Sequence, residues 1–568
     1  MTAVASAAAK SVRVGMGIAA AIAIAAAIAA CNPVPAADQV GAPPPGAAVA
    51  TESAKVTVAC QGPSHPISEL IYGVGAYYPD RSEHQWATGA TARRWGGDAS
   101  SRFNWRLGNA WNSNHNWYFR NVKVVDAPSF SYETFFEENR QHRVRSALTV
   151  PMLGWVAKDT TSYSFPVRIF GPQQSVGFDN PDSGNGIDPS GIPLTPLPPT
   201  QTSVPFTASD LEDWVRTIRE KDASRGRSVE MYILDNEPMN WNRTHRDVHP
   251  EPATYDEVLD KTIAYGTAIR RADPEAVIAG PAEWGWLAYH FSAMDTTRGK
   301  LAKLLRWDRL KHWNVPFIPW YLRKLRDHEK RTGVRLLDVL DVHFYPAAPG
   351  MGTSTAGATD PATAAKRIRM TRSLWDPDYV DESWINQKMR VLPLLKEWVA
   401  DNYPGLGISI GEWSFGAENH MSGGLAVAEV LGRFGVQGLT SAFYWYYPAD
   451  RSPAFWAFRA YRNFDGKGSR FLDVSIPATS DAADTSVFAS RDVSGRHAVV
   501  ILLNFRPDLA RKANVTLDGC RSPASVRTFR YAQGDAVILP TQSAAAAGSV
   551  TLDLPPYSIS ILDANVTQ

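Results

Sequence analysis

Two glutamates follow short apolar runs in settings suited to acid–base chemistry. Met231-Tyr232-Ile233-Leu234 leads into Asp235-Asn236-Glu237-Pro238, and Ile408-Ser409-Ile410-Gly411 leads into Glu412-Trp413-Ser414. A strand that ends on a carboxylate presents it at the rim of its sheet, and Pro238 stops the first of these strands. Glycoside hydrolysis needs two carboxyl groups: one protonates the departing oxygen, and the other attacks the sugar carbon or activates water. Taken singly, a glutamate in such a place is more often a solvated loop acid or a helix cap. Together, on two strands of one frame, they make a catalytic pair.

Neighbouring residues fit supporting roles. Asn236 could donate to a sugar 2-hydroxyl, a contact that strengthens in an oxocarbenium-like transition state. In Asp341-Val342-His343-Phe344-Tyr345 a period of two puts Asp341, His343 and Tyr345 on one side. Tyr345 could then hold a nucleophilic carboxylate, and the charge of Arg94 could keep it ionised. For each the competing role is that of a polar residue closing a core. Indole offers a large apolar face to the C–H face of a sugar ring. Trp95, Trp241, Trp284, Trp286, Trp413 and Trp445, with His343, are therefore candidate substrate contacts, although many of the chain's 19 Trp must be core.

These groups need a frame, and the chain supplies a periodic one. Eight β-branched or aromatic runs, most of them followed by helical stretches, fall at Leu70–Tyr78, Ala92–Gly97, Ala147–Trp155, Val229–Glu237, Ala276–Trp284, Leu337–Tyr345, Gly407–Ser414 and Leu439–Tyr446. Helical spacing marks Asp210–Lys221, Tyr255–Ala272, Gln387–Asn402 and Leu425–Phe434. The pattern predicts an α/β fold, a (β/α)8 TIM-like barrel with catalytic groups at the carboxyl ends of its strands; Glu237 and Glu412 close the fourth and seventh. Residues 158–207, rich in Gly, Pro, Asp and Asn, read as a long functional loop after the third strand. Beyond Asp465 the helices stop, and six strand-like runs predict an added all-β sandwich domain.

At the amino end, Lys10 and Arg13 precede the uncharged stretch Val14–Ala30, the layout of a secretory signal peptide; a retained membrane anchor is the other reading. The stretch ends Ile28-Ala29-Ala30-Cys31, which resembles a lipobox whose Cys takes a lipid. The chain thus divides into a signal peptide (1–30), a Pro/Ala-rich tether (31–54), an amino-terminal strand joining the sandwich (55–67), the barrel (68–465) and the sandwich (466–568). The expected location is the cell envelope, lipid-anchored, or the secreted fraction. Export leaves Cys60 and Cys520 either as one disulfide or as two buried thiols. Lys55–Cys60 would bring them together by pairing into the sandwich.

Of the 568 residues, 44% are hydrophobic and 20% charged, which excludes bulk disorder, and a net charge of +1 with no long basic run argues against a nucleic-acid partner. Three cysteines exclude a disulfide-built scaffold and a four-thiolate zinc site.

Several stretches in order resemble glycoside hydrolase family 44, over about residues 68 to 560. They are Arg94-Trp95-Gly96-Gly97 with Arg102-Phe103-Asn104-Trp105, Asp235-Asn236-Glu237-Pro238 with Trp241, Gly280-Pro281-Ala282-Glu283-Trp284-Gly285-Trp286, Asp341-Val342-His343-Phe344-Tyr345-Pro346 and Gly411-Glu412-Trp413. The resemblance implies a retaining endo-β-1,4-glucanase or xyloglucanase, with Glu237 as general acid/base and Glu412 as nucleophile. It further implies a polysaccharide substrate, and no cofactor is required; the chain is read as a monomer. Asp98 departs from the Asn expected after Gly96-Gly97, as Gly75 does from an Asn, which puts subsite details in doubt there.

Other readings compete. His245 and His249 stand four apart, yet Arg246 occupies the place of the glutamate that a zinc helix requires, and Pro250 and Pro252 follow. The resemblance admits a structural calcium, and residues 179–188 are rich in oxygen donors, but their spacing is not that of an EF-hand and they read as a solvated loop. A glycan-binding lipoprotein without catalysis would need neither glutamate, and a transglycosylase would use both.

Overall fold

In a computed structural model, residues 49–75, 83–113, 118–123, 131–297, 305–520, 523–546 and 549–566 are described. The signal peptide, Cys31 and most of the tether lie outside them. Among the described residues no helix is long and apolar enough to cross a membrane.

Eight parallel strands close a barrel: β1 (Gly73–Gly75), β2 (Ala92–Trp95), β3 (Arg145–Val150), β4 (Met231–Leu234), β5 (Ile278–Glu283), β6 (Val339–Phe344), β7 (Gly407–Trp413) and β8 (Ser441–Tyr444). Each pairs with its neighbours in sequence, and β8 returns to β1 through Phe443 opposite Gly73. Each of the eight expected runs holds a barrel strand, most of them shortened, as Val229–Glu237 is to Met231–Leu234 and Leu439–Tyr446 to Ser441–Tyr444; residues 76–78 of the first run lie outside the described residues. Ser68 accepts from the Leu70 N–H and caps a 3-10 turn over Glu69–Tyr72, so β1 begins only at Gly73.

Helices wrap the barrel with one face inward. Ala208–Arg225 opens on a Thr207–Asp210 capping box and buries Leu211, Trp214, Val215 and Ile218 at helical spacing. Tyr255–Ala272 starts at Thr254, whose hydroxyl accepts from the Glu257 N–H. The long connection after β3 is ordered rather than loose. Trp155–Ala157 pairs with Ser203–Pro205, and a fully buried Arg102–Asp247 ion pair at 3.0 Å, joined by the Ser164 hydroxyl, pins it to the barrel.

The sandwich has a five-stranded and a seven-stranded sheet. The leading strand, Ala50–Ala59, is longer than its sequence suggests and begins inside the stretch read as tether. It lies between Ala478–Ser480 and Leu509–Asp518, with Ala50 opposite Leu509 and Ala59 opposite Asp518. Residues 50–54 carry one β-branched side chain, so the strand is held by backbone pairing that propensity does not announce. Cys60 and Cys520 form a disulfide with a Cα–Cα distance of 5.2 Å.

Candidate active site

Irregular backbone at the ends of β4, β5 and β7 aims the acidic side chains. Glu237 takes a left-handed conformation (φ +48°), as do Asp235 (+61°) and Ala282 (+54°), and the Glu237 N–H donates to the Ala282 carbonyl at 3.0 Å. Such conformations are uncommon outside glycine and gather at functional sites. The pairing register slips between Pro281 and Glu283 and again opposite Gly411, the residue before Glu412, and bulges of this kind re-aim side chains at barrel rims.

Glu237 and Glu412 converge from strands four and seven. With His343 they place one ligand-type atom each within 4.8 Å of the others. Glu412 is 5% exposed and held from two sides. Arg94 Nη1 donates to its Oε1 at 2.6 Å and to the Gly411 carbonyl at 2.9 Å, while the Tyr345 hydroxyl donates to its Oε2 at 3.0 Å. Burial pushes the Glu412 carboxyl above its usual range, and the Arg94 guanidinium opposes that push. Burial likewise drives the Tyr345 phenol upward, so it remains a donor.

Glu237 is partly buried, and Asn240 and His343 are among the groups that reach it. Asn240 Nδ2 donates to its Oε2 at 3.1 Å, and His343 Nδ1 lies 2.9 Å from its Oε1 and 3.4 Å from Glu412 Oε2. Burial pushes the His343 ring down to about 4, so it bridges the two carboxyls as a neutral group. Asn236 accepts from Arg94 Nη2 at 3.0 Å and donates to Asp98 Oδ1 at 3.0 Å. Fully buried Asp235 accepts from Ser101 and from the N–H groups of Met152, Leu153 and Asn236, which fixes the turn that presents Glu237.

Three of the expected substrate contacts are core instead. Trp95 packs on Phe103, Trp111 and Phe135; Trp241 is buried with its Nε1 donating to Asp235; Trp413 lies edge-on to Tyr444 and Phe434. Position in the sequence does not say which aromatic faces the lumen's mouth. Trp284, Trp286 and Trp445 remain partly exposed. Sequence reasoning missed Asn240, although three places beyond Glu237 in a tight turn is within reach of it, and Glu283, a buried acid whose carboxyl burial and Glu237 push well above its usual range.

Neither metal reading suits its donors. A cation between Glu237, His343 and Glu412 would sit against the Arg94 guanidinium. His245 is wholly buried, and His249 Nε2 contacts Glu257 at 2.7 Å. In residues 179–188, Asp179 pairs with Arg120, Asp182 accepts from Tyr163 and Arg168, and Asp188 accepts from the N–H groups of Ser190 and Ile192. The three carboxylates of this stretch thus have partners within the protein.

Comparison with known proteins agrees with the geometry. The family model for glycoside hydrolase family 44 matches residues 110–348. Endoglucanase A of Paenibacillus lautus is 30% identical over 528 residues, covering 88% of this chain and 71% of that one. The crystal structure of CelM2, a bifunctional glucanase-xylanase from a metagenome library, superposes with a TM-score of 0.85 at 32% identity, over 91% of this chain and all of that one. A Paenibacillus polymyxa xyloglucanase from family 44, solved with xyloglucan, gives 0.75 at 26%, again over 91% of this chain and all of that one.

Proposed function

Because this chain belongs to glycoside hydrolase family 44, we propose that it cleaves internal β-1,4 linkages of glucans with retention of configuration, Glu412 acting as nucleophile and Glu237 as general acid/base. The observation that carries this reading is the close approach of the two carboxyls, with atoms within 4.8 Å. Retaining enzymes hold them about 5–5.5 Å apart, whereas an inverting enzyme needs about 6.5–9.5 Å to admit water between carboxylate and sugar.

In the first step a Glu412 oxygen attacks the anomeric carbon, and the glycosidic bond breaks as Glu237 gives its proton to the departing oxygen. In the second, Glu237 takes a proton from water, whose oxygen attacks the same carbon and releases Glu412. Arg94 and Tyr345 orient Glu412 and supply the charge and hydrogen bond that favour its ionised form. Asn236 is held by Arg94 and Asp98, with one amide hydrogen left for a sugar hydroxyl. Side chains and water suffice, and the reaction as written uses no cofactor. The relatives are an endoglucanase, a glucanase-xylanase and a xyloglucanase, so cellulose-type chains and xyloglucan are the first substrates to try. A sugar hydroxyl in place of water would make the same intermediate a transglycosylation donor.

Reducing-sugar release from xyloglucan, carboxymethylcellulose and xylan, by the wild type and by Glu237→Ala and Glu412→Ala, tests the assignment, with NMR reporting the first anomer formed. Loss of release in both folded variants and a β-anomer product are expected. Full activity in folded Glu412→Ala, or an α-anomer, would overturn it. We also read Ile28–Cys31 as a lipidation signal that leaves a monomeric enzyme on a tether at the cell envelope; incorporation of labelled fatty acid, abolished by Cys31→Ala, is the expected result.

A further inference from the structure

The connections that follow β6, β7 and β8 meet at a buried carboxyl that the catalytic scheme does not use. Glu418 lies six residues beyond Glu412 and is 1% exposed. Its Oε1 accepts from the hydroxyl of Tyr444, the last residue of β8, at 2.7 Å, and its Oε2 accepts from the Ala449 N–H at 2.9 Å. One side chain thereby fastens both ends of the segment Trp445-Tyr446-Tyr447-Pro448, in which Tyr446 is left-handed (φ +69°). The network continues through Ser414, which donates to the Tyr444 oxygen at 3.4 Å and accepts from the Ser354 N–H at 3.1 Å. The Glu418 N–H donates to the Ser354 carbonyl at 3.1 Å, closing the circuit with the connection that begins at Tyr345.

The fastened segment reaches the cleft through Trp445. Its indole lies across the backbone of Gly97 and Gly75: a Cβ at Gly97 would come within 2.8 Å of the ring, and one at Gly75 within 3.5 Å. Gly97 precedes Asp98, the acceptor for Asn236, so the indole borders the group that surrounds Glu237 and Glu412.

We propose that Glu418 is a positioning residue for substrate binding: by accepting hydrogen bonds from both ends of the 445–448 segment, its carboxylate holds the Trp445 indole where a sugar ring stacks. The proposal rests on the reading of this cleft as a glucan site. A carboxylate accepts on both oxygens, whereas protonation turns one of them into a donor, so that either the Tyr444 hydroxyl reverses to accept from it, disturbing its contact with Ser414, or the Ala449 N–H loses its acceptor; either way the clamp is rearranged. Burial pushes Glu418 up to about 7, so this change falls within the working range. The groups around it are the Tyr444 and Ser414 hydroxyls and the Ala449 amide. His420, two residues on, is pushed downward by burial and by Arg367, and Asp450 and Arg451 lie beyond Ala449 on the exposed side.

KM and kcat on xyloglucan, and the affinity for a cello-oligosaccharide by calorimetry, are to be measured from about pH 5.5 to about 8. In the wild type, KM and the oligosaccharide Kd should fall about fivefold as pH rises through about 7, the worth of one hydrogen bond, with a smaller change in kcat. Glu418→Gln, which mimics the protonated acid, should keep the low-pH KM throughout. Tyr444→Phe removes a bond that favours the carboxylate and should move the break to higher pH. A Glu418→Gln enzyme with the wild-type KM profile, or one that loses kcat evenly at every pH with KM unchanged, overturns the proposal; if that variant does not fold, an unmoved break in Tyr444→Phe does so. A wild type that binds the oligosaccharide with this pH dependence but cleaves no glucan would overturn the functional reading and support the clamp.

Discussion

Arg94 decides whether Glu412 can act as a nucleophile. The carboxylate sits where burial disfavours charge, and the guanidinium 2.6 Å away is the nearest cation that opposes this. It also carries Asn236 on its other nitrogen, so a single side chain positions the nucleophile and the neighbour of the acid. Replacing Arg94 by Met removes both functions. Glu412 then rises further above its usual range, and because the ionised form must attack, the acidic limb of kcat/KM moves to higher pH. Catalysis at the optimum should also fall by about tenfold to a hundredfold, the worth of a charge-assisted hydrogen bond of about 1.5–3 kcal/mol. A pH–rate profile of the folded variant checks this, and an acidic limb in its wild-type place would show that Arg94 does not set the ionisation of Glu412.

Strand ends do the aiming, and Gly411 shows how tightly. A Cβ at this position would run into the Asp341 carboxylate on the neighbouring strand, and the pairing register shifts just here. Gly411→Ala must therefore displace Asp341 or twist the backbone that carries Glu412. A loss of about 1–3 kcal/mol in stability is expected, with a fall in kcat exceeding any rise in KM; urea unfolding and steady-state kinetics read the two effects separately. At this scale the sequence was informative wherever periodicity and chemistry coincide. The eight strands and both glutamates could be read because an apolar run ending in a carboxylate is a local signal. The inward or outward direction of Trp95, Trp241 and Trp413 could not, since burial is decided by what packs across the barrel. The start of the helix Met421–Gln437 was hidden by Gly423 and Gly424, and the role of Glu418 by its partners' distance in the chain, 26 residues for Tyr444 and 31 for Ala449.

The barrel is inserted into the sandwich: the leading strand precedes it, the rest of the sandwich follows it, and the Cys60–Cys520 bond joins residues 460 apart. The two parts also share a core. Along His497–Asn504, Val500 and Leu502 face the sandwich interior, while Val499, Ile501 and Leu503 pack into the cluster that contains the barrel helices. Phe464 on Phe529 and Trp456 on Tyr531 carry the same contact to the strand Pro523–Ala532 of the same sheet. Loosening the sandwich should therefore loosen the barrel. Cys520→Ser releases the leading strand to fray from its parallel partner, and removal of such a bond costs about 2–4 kcal/mol. Every Trp lies between Trp86 and Trp456, in the barrel segment, so Trp fluorescence reports the barrel and, through Trp456 on Tyr531, its seam with the sandwich. With a shared core, the Trp transition in urea should move to lower concentration in Cys520→Ser, and in the wild type under reductant, while kcat in the absence of urea stays unchanged. A Trp transition that stays in place while far-UV circular dichroism reports earlier loss of β-structure would mean that the sandwich melts on its own and that the common apolar surface transmits no stability to the catalytic frame.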